Sequence, residues 1–194
     1  MSPKYYIKVL IVFFPFFLFG ENQNKSLVGS VAPNWILKSN SGKMEFLNNY
    51  STIDGKNIRD KGGKKEKHVV VLSFFATWCR PCLKEIKELQ NLQEKYSSEP
   101  VAFFLIDLTD YYRKKDSRIY KDSPKTLSFL KDKGLDKITV LFDDRGILAK
   151  DYNANDVLPR LFVIDKNQII RLDASNICSS CIQDELSEVI DLYL

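Results

Sequence analysis

The chain has 194 residues, of which 44% are hydrophobic and 28% charged, and this suits one globular domain with a sizeable core. Its 29 lysines and arginines against 25 aspartates and glutamates leave a net charge of +4. That excess is too small, and its lysines too scattered, for a nucleic-acid-binding protein.

Residues 1–20 stand apart. Lys4 and Lys8 form a short basic region ahead of an apolar run from Val9 to Phe19. The run is shorter than the ~20 residues a membrane helix needs. Leu18-Phe19-Gly20 is a usable cleavage site, although Leu18 is larger than the small-x-small ideal. The segment reads as a secretory signal peptide; the alternative is a retained inner-membrane anchor formed by residues 9–19. No cysteine lies near its end, which excludes a lipoprotein. Export to the periplasm would place the four cysteines where disulfides form. Residues 21–30 are polar and read as a flexible arm, and 31–194 as the folded domain.

Val31 to Leu37 and Met44 to Leu47, separated by Ser39-Asn40-Ser41-Gly42, predict an N-terminal hairpin. Asn48 to Lys67 is polar and glycine-containing and reads as a surface loop with a turn of helix. The apolar run Val69 to Phe75 then leads directly into Cys79-Arg80-Pro81-Cys82. Ile86, Leu89, Leu92 and Tyr96 follow at helical spacing, predicting a helix to about Ser97. A strand running into a helix places Cys79 at the helix N-terminus, where unpaired N–H groups and the macrodipole favour a thiolate. Such sites lower a cysteine pKa from ~8.5 towards ~7 or below, and only the thiolate attacks disulfides. Pro81 fits the first turn, where its missing N–H costs nothing. The pair therefore reads as a redox-active dithiol.

Val101 to Ile106 is a second apolar strand, completing a right-handed crossover unit. Tyr111 to Asp122 is polar and tyrosine-rich and reads as an inserted loop. Ser123-Pro124 is placed as the cap of a helix through Leu127 and Leu130 to Lys133, ended by Gly134. Ile138 to Phe142 predicts a strand, and Asp143 to Gly146 a turn into a small helix ending near Tyr152. Arg160–Ile164 and Gln168–Leu172 predict an antiparallel hairpin. The last helix begins near Cys178 or Ile182 and runs through Leu186, Val189, Ile190 and Tyr193. The fold class is α/β: a central mixed sheet with helices on both faces.

The chain resembles the thioredoxin fold, and within it the TlpA/ResA-like thiol–disulfide oxidoreductases of bacterial envelopes. The resemblance rests on Ala32-Pro33-Asn34-Trp35, on Phe74-Phe75-Ala76-Thr77-Trp78-Cys79-Arg80-Pro81-Cys82, and on Leu158-Pro159 ahead of Leu161 to Asp165. It covers residues 28 to 194. It implies a thioredoxin-like fold with an N-terminal β-hairpin extension and no cofactor. It also implies that Cys79 is the exposed nucleophile, Cys82 the buried resolving thiol, and Pro159 a cis-proline facing the disulfide. Leu158 would offer its backbone to a mixed-disulfide substrate and Trp78 would form the active-site surface. Glu85, one helical turn after Cys82, matches a position proposed to handle protons at the buried thiol. The implied role is reductive, on protein disulfides of the kind met in cytochrome c maturation, with electrons from a membrane donor.

Two positions depart from the family pattern. Lys87 stands where proline often kinks the helix, and Arg160 follows the cis-proline where threonine is usual. Arg80 and Arg160 would place two cations near Cys79. Stabilising the reduced form raises the potential by about 30 mV per ~1.4 kcal/mol, opposite to the direction the family role implies. Both arginines also have an ordinary reading as solvated charges, as Glu85 has beside Lys84 and Lys87, while Trp78 has one in packing.

Cys178-Ser179-Ser180-Cys181 lies outside the family pattern. The strand before it runs parallel to Val69–Phe75 two positions across the sheet, about 10 Å away at ~4.8 Å per strand. The pair therefore emerges on the side of Cys79. It reads as a structural disulfide at the start of the last helix, as a second redox pair, or as part of a metal site. A zinc site at Cys79 and Cys82 needs two more ligands, and the single histidine, His68, lies at the opposite end of the strand. Haem attachment is excluded because Leu83 and Ile182 occupy the positions histidine would need. The missing lone cysteine in a Thr-x-x-Cys context argues against peroxiredoxin chemistry. The sequence thus points to an exported thiol–disulfide oxidoreductase acting on protein disulfides or dithiols. The alternatives are an oxidant or isomerase of the same fold, and a metallochaperone using both Cys-x-x-Cys pairs.

Overall fold

The structure, a computed structural model, describes residues 26–53, 58–60, 63–175 and 181–194, with the backbone alone for 58–60 and 63–65. The leader, the start of the arm, Gly55, Gly62 and Cys178 lie outside the described residues. The elements in chain order are β1 (Ile36–Ser39), β2 (Met44–Phe46), β3 (Ile58–Asp60), β4 (Gly63–Lys65), β5 (Val69–Phe75), α1 (Arg80–Lys95) and β6 (Val101–Asp107). They continue with α2 (Thr109–Lys115), α3 (Ser117–Tyr120), α4 (Thr126–Asp132), β7 (Thr139–Phe142), α5 (Ile147–Asp151), β8 (Arg160–Ile164), β9 (Ile170–Ser175) and α6 (Ile182–Tyr193).

One mixed sheet of seven strands has the order β2-β1-β7-β6-β5-β8-β9. β5 pairs parallel with β6 and antiparallel with β8, and β9 returns antiparallel to β8. All seven β5 residues are buried, because β5 lies in the middle of a sheet covered on both faces. Strand alternation divides its side chains between two cores. Val69, Val71 and Phe75 pack with α1, α4 and α6, in a cluster that includes Cys79, Cys82, Ile86, Leu130 and Ile182. Val70, Leu72 and Phe74 face the opposite layer of Trp35, Leu47, Tyr112, Leu148, Tyr152 and Phe162.

The helices α1 and α6 run parallel on their shared face. Glu88 meets Gln183 at 2.5 Å, and farther along Tyr96 meets Asp191 at 2.6 Å. Their N-termini therefore lie at the same end of the molecule, where β5 ends.

Four expectations are corrected. The span 48–67 begins with the expected helical turn, a 3-10 turn at Leu47–Asn49, but it also contains the two-stranded ribbon β3–β4, whose three-residue strands are too short to show an alternation. The insert at 111–122 is helical, forming α2 and α3. Its apolar face is made of tyrosine rings, which bury their bodies while the hydroxyl ends stay polar. Ser123 does not cap α4; the cap position is Lys125, and the Ser123 N–H closes the insert by donating to the Tyr120 carbonyl at 3.1 Å. In the last hairpin β9 begins later than expected, because Gln168 sits in the turn with φ 64°.

Candidate active site

The β5 strand delivers the chain to one end of the sheet, where Ala76-Thr77-Trp78 turns into α1. The Cys79 N–H donates to the Ala76 carbonyl at 2.9 Å, and Cys79 becomes the N-cap of α1 in extended geometry. Its Sγ accepts from the Cys82 N–H at 3.3 Å, so a cap donor that the helix leaves unpaired points at the sulfur. Cys79 and Cys82 form a disulfide. Cys82 is fully buried, and Cys79 retains only 4% exposure. The expectation of an exposed Cys79 is corrected: the cysteine is buried, and the exposed residue at this turn is its neighbour Trp78, at 36%. The Trp78 ring packs on Tyr112 at 5.0 Å and on Tyr120 at 4.8 Å.

Glu85 lies on the buried face of α1, one turn from Cys82. Its flanks, Lys84 and Lys87, are exposed, but Glu85 itself is 4% exposed. The solvated-face reading is therefore ruled out. Its Oε1 accepts from the Ser73 hydroxyl at 2.6 Å. Burial disfavours the charged carboxylate and pushes its pKa up to about 7, while the Ser73 hydrogen bond works in the opposite direction.

The Leu158–Pro159 peptide bond is cis. Arg160 is paired with Phe74 in the β5–β8 register, and extending that register by one residue brings Pro159 level with Phe75. Pro159 thus lies at the end of β5 from which the chain turns into Cys79. Leu158 packs against the cluster that contains both cysteines.

A family model described as Redoxin matches residues 46–174. The chain belongs to the redoxin family. It is 30% identical to the thioredoxin-like protein YneN of Bacillus subtilis over 74% of this chain and 68% of that protein. It is 30% identical to the thiol-disulfide oxidoreductase ResA of Bacillus cereus over 76% of this chain and 69% of that protein. Among solved structures it resembles StoA of Bacillus subtilis, with TM-score 0.52, 19% identity and coverage of 79% of this chain and 96% of that one. A thiol-disulfide oxidoreductase from Bacteroides fragilis matches with TM-score 0.55, 20% identity and coverage of 82% and 99%. At these identities the structural matches establish the thioredoxin-like fold alone. Family and relatives together make this redoxin a ResA-like thiol–disulfide oxidoreductase with a Cys79–Cys82 pair.

Arg80 is exposed on the first turn of α1. Arg160 is not the second cation expected beside Cys79. Its guanidinium is buried and paired with Asp173 at 2.6 Å, and it lies 5.7 Å over the Phe162 ring. Arg160 alternates with Leu161, so it projects into the layer of Phe162, on the far side of the sheet from α1. The other Asp173 oxygen accepts from the Leu27 N–H at 2.8 Å. The arginine of this redoxin therefore joins β8 to β9 and leaves Arg80 as the cation beside the dithiol among the two proposed.

Cys181 is disulfide-bonded and stands at the N-cap of α6, while Cys178 lies outside the described residues. β9 ends at Ser175, which pairs with Arg160, so the chain leaves the sheet at the Cys79 end. Ile182, next to Cys181, belongs to the same cluster as Cys79 and Cys82. Among the described residues, no group of three or more His, Cys, Asp or Glu side chains is arranged to hold a metal.

Sequence reasoning missed a network behind the active-site turn. Asp107, at the end of β6, is buried and accepts from the Thr109 N–H at 2.9 Å and the Thr109 hydroxyl at 2.5 Å through Oδ1. Its Oδ2 accepts from the Thr126 hydroxyl at 2.6 Å. Thr109 in turn accepts from the Thr77 N–H at 3.1 Å, and the Thr77 hydroxyl donates to the Pro124 carbonyl at 3.2 Å. One carboxylate thus ties α2 and α4 to the turn that carries Trp78 and Cys79. Burial raises the Asp107 pKa against the opposing pull of these hydrogen bonds. Ser73 was also missed. A lone serine in an otherwise apolar, fully buried strand is the available signal, since a buried hydroxyl requires a partner.

Proposed function

We propose that this redoxin is an exported reductant of selected protein disulfides, of the kind that serves cytochrome c maturation, reset by a membrane electron donor. The observation that carries the reading is the placement of a cysteine pair at the α1 N-terminus with a buried carboxyl of raised pKa one turn behind it. The basic and apolar leader at residues 1–20 supports export.

In the proposed cycle the Cys79 thiolate attacks one sulfur of a substrate disulfide docked against Leu158 and Pro159. A mixed disulfide forms, and the other substrate sulfur leaves as a thiolate and is protonated. Cys82 gives its proton to the Glu85 carboxylate and attacks the Cys79 sulfur. The second substrate thiol is released, and two electrons have moved from the Cys79/Cys82 dithiol to the substrate. A carboxyl titrating near 7 is well matched to this transfer, because both of its protonation states are populated near neutral pH. Withdrawal of Arg160 from the dithiol removes one of the two charges that argued for an oxidant.

The test is the resting redox state of Cys79 and Cys82 in cells, combined with trapping by Cys82→Ser. A reduced resting pair and a trapped partner carrying a target disulfide are the expected results. An oxidised resting pair would favour the oxidant or isomerase. Stoichiometric zinc or copper in the reduced protein, without reduction of insulin disulfides, would favour the metallochaperone.

A further inference from the structure

A groove of about 640 Å³ opens at the Cys79 end of the sheet. Trp78, Tyr112, Ile119 and Tyr120 line one wall, and Val157 and Leu158 the other. Its two walls end at the residues that immediately precede Cys79 and the cis Pro159. A polypeptide whose sulfur reaches Cys79 therefore lays its neighbouring residues across this groove.

The groove is built before any partner arrives. The Tyr112 hydroxyl crosses it to donate to the Asn155 carbonyl at 2.8 Å, which couples the insert to the loop before Pro159. The rings of Trp78, Tyr112 and Tyr120 pack on one another at 4.8 to 5.4 Å. The Asp107 network holds the start of α2 at the base of the same wall. Preformed walls spare the ordering cost that a loose loop would add to binding.

The lining also states what the groove takes. Its charged rim is largely satisfied within the protein: Lys115 meets Asp156 at 3.5 Å, and Asp116 accepts from the Arg118 N–H at 3.0 Å. Polar and apolar surface share the open lining, and the apolar part is concentrated at Ile119, 68% exposed at the edge of an aromatic floor. Lys115 Nζ already lies 5.8 Å over the Tyr112 ring, so the aromatic floor has its own cation, and the exposed carbon of Ile119 beside it suits an apolar or ring-bearing side chain.

We propose that the α2–α3 insert makes this groove a specificity pocket for an aromatic or large aliphatic side chain within a few residues of the substrate cysteine. This rests on the reading that Cys79 engages substrate disulfides. The pocket adds no chemistry. It raises the encounter of one class of disulfide with Cys79, and the electrons still pass from the dithiol to the substrate disulfide, giving two substrate thiols and the Cys79–Cys82 disulfide.

The experiment uses the full chain in its reduced form. The probes are symmetrical disulfides of short blocked peptides with one phenylalanine placed before or after the cysteine, their serine counterparts, and glutathione disulfide. At least one phenylalanine peptide is expected to react about tenfold faster than its serine counterpart, the range available to an apolar pocket. Ile119→Asp, at an exposed position, is expected to reduce that preference to about twofold or less, and Tyr120→Ser to do the same. Equal rates for phenylalanine and serine peptides with the native chain overturn the pocket, as does full preference in folded Ile119→Asp. Reduction of none of the disulfides, glutathione's included, overturns the oxidoreductase reading and the pocket with it.

Discussion

Ser73 and Glu85 join the central strand to the active-site helix through a 2.6 Å hydrogen bond in which the serine hydroxyl donates to the carboxylate. The bond stabilises the charged form of a carboxyl that burial pushes up to about 7. Ser73→Ala removes that support, so the Glu85 pKa is expected to climb further. If Glu85 takes the Cys82 proton, decay of the mixed disulfide then needs a higher pH to reach its full rate. Stopped-flow decay of a Cys79 mixed disulfide against pH checks this, and profiles that coincide with the native protein would exclude the link.

Glu85→Gln tests the same carboxyl through stability. In the folded protein its pKa is raised from 4.5 to about 7, so the folded state holds the proton more tightly than the unfolded chain. The contribution of protonated Glu85 is full below about 4.5 and is lost as pH rises through about 7. Over that window the native protein should lose on the order of 3 kcal/mol relative to Glu85→Gln, since one unit is worth about 1.4 kcal/mol. Asp107 and Asp143, also raised by burial, add the same sign of slope to both proteins, so the difference isolates Glu85. Urea midpoints of the oxidised proteins at acid and neutral pH measure it. Resolution by Cys82 should slow roughly 100-fold near neutral pH in the variant, a typical loss for one proton-transfer group.

Asp107→Asn puts an amide donor where the Thr126 hydroxyl now donates. One buried hydrogen bond must break or reverse, at a cost of about 1–3 kcal/mol. The damage should be local as well as global. Hydrogen exchange at the Thr109 and Thr77 amides, which donate to Asp107 and to Thr109, is expected to rise more than at Leu72 in the middle of β5. Equal protection at all three sites would mean the network does not hold the turn.

Arg160→Gln separates the two roles assigned to that arginine. Removing one partner of a buried pair leaves Asp173 uncompensated and should destabilise by about 3 kcal/mol or more. The pH profile of Cys79 alkylation in the reduced protein is expected to stay where it is, because the guanidinium projects from the opposite face of the sheet. A shifted alkylation profile with unchanged stability would restore the charge-tuning role.

The fold was legible because its signals are local. Val69 to Phe75 is an unbroken apolar run of strand length, and Ile86, Leu89 and Leu92 repeat at the helical period. The insert was not legible. Aromatic rings at Tyr112 and Tyr120 are buried by a tryptophan more than thirty residues earlier in the chain, and no local period records that. The ribbon β3–β4 escaped because three-residue strands carry no pattern.

The sequence by itself determined the strand, the dithiol and the helix behind it, since adjacent residues dictate all three. It also determined that Leu158-Pro159 opens a hairpin, because the apolar run Leu161–Ile164 and the next one from Ile169 are separated only by the short polar turn Asp165-Lys166-Asn167-Gln168. Only the tertiary structure decided which charges serve the site. Glu85, set between two lysines, turns inward because its position on α1 faces Ser73 across a buried interface. Arg160, one residue from the cis-proline, turns away because strand alternation sends it to the other core, where Asp173 meets it. A charged side chain is placed by the face it occupies and the partner it meets there, and both are set by residues distant in the chain.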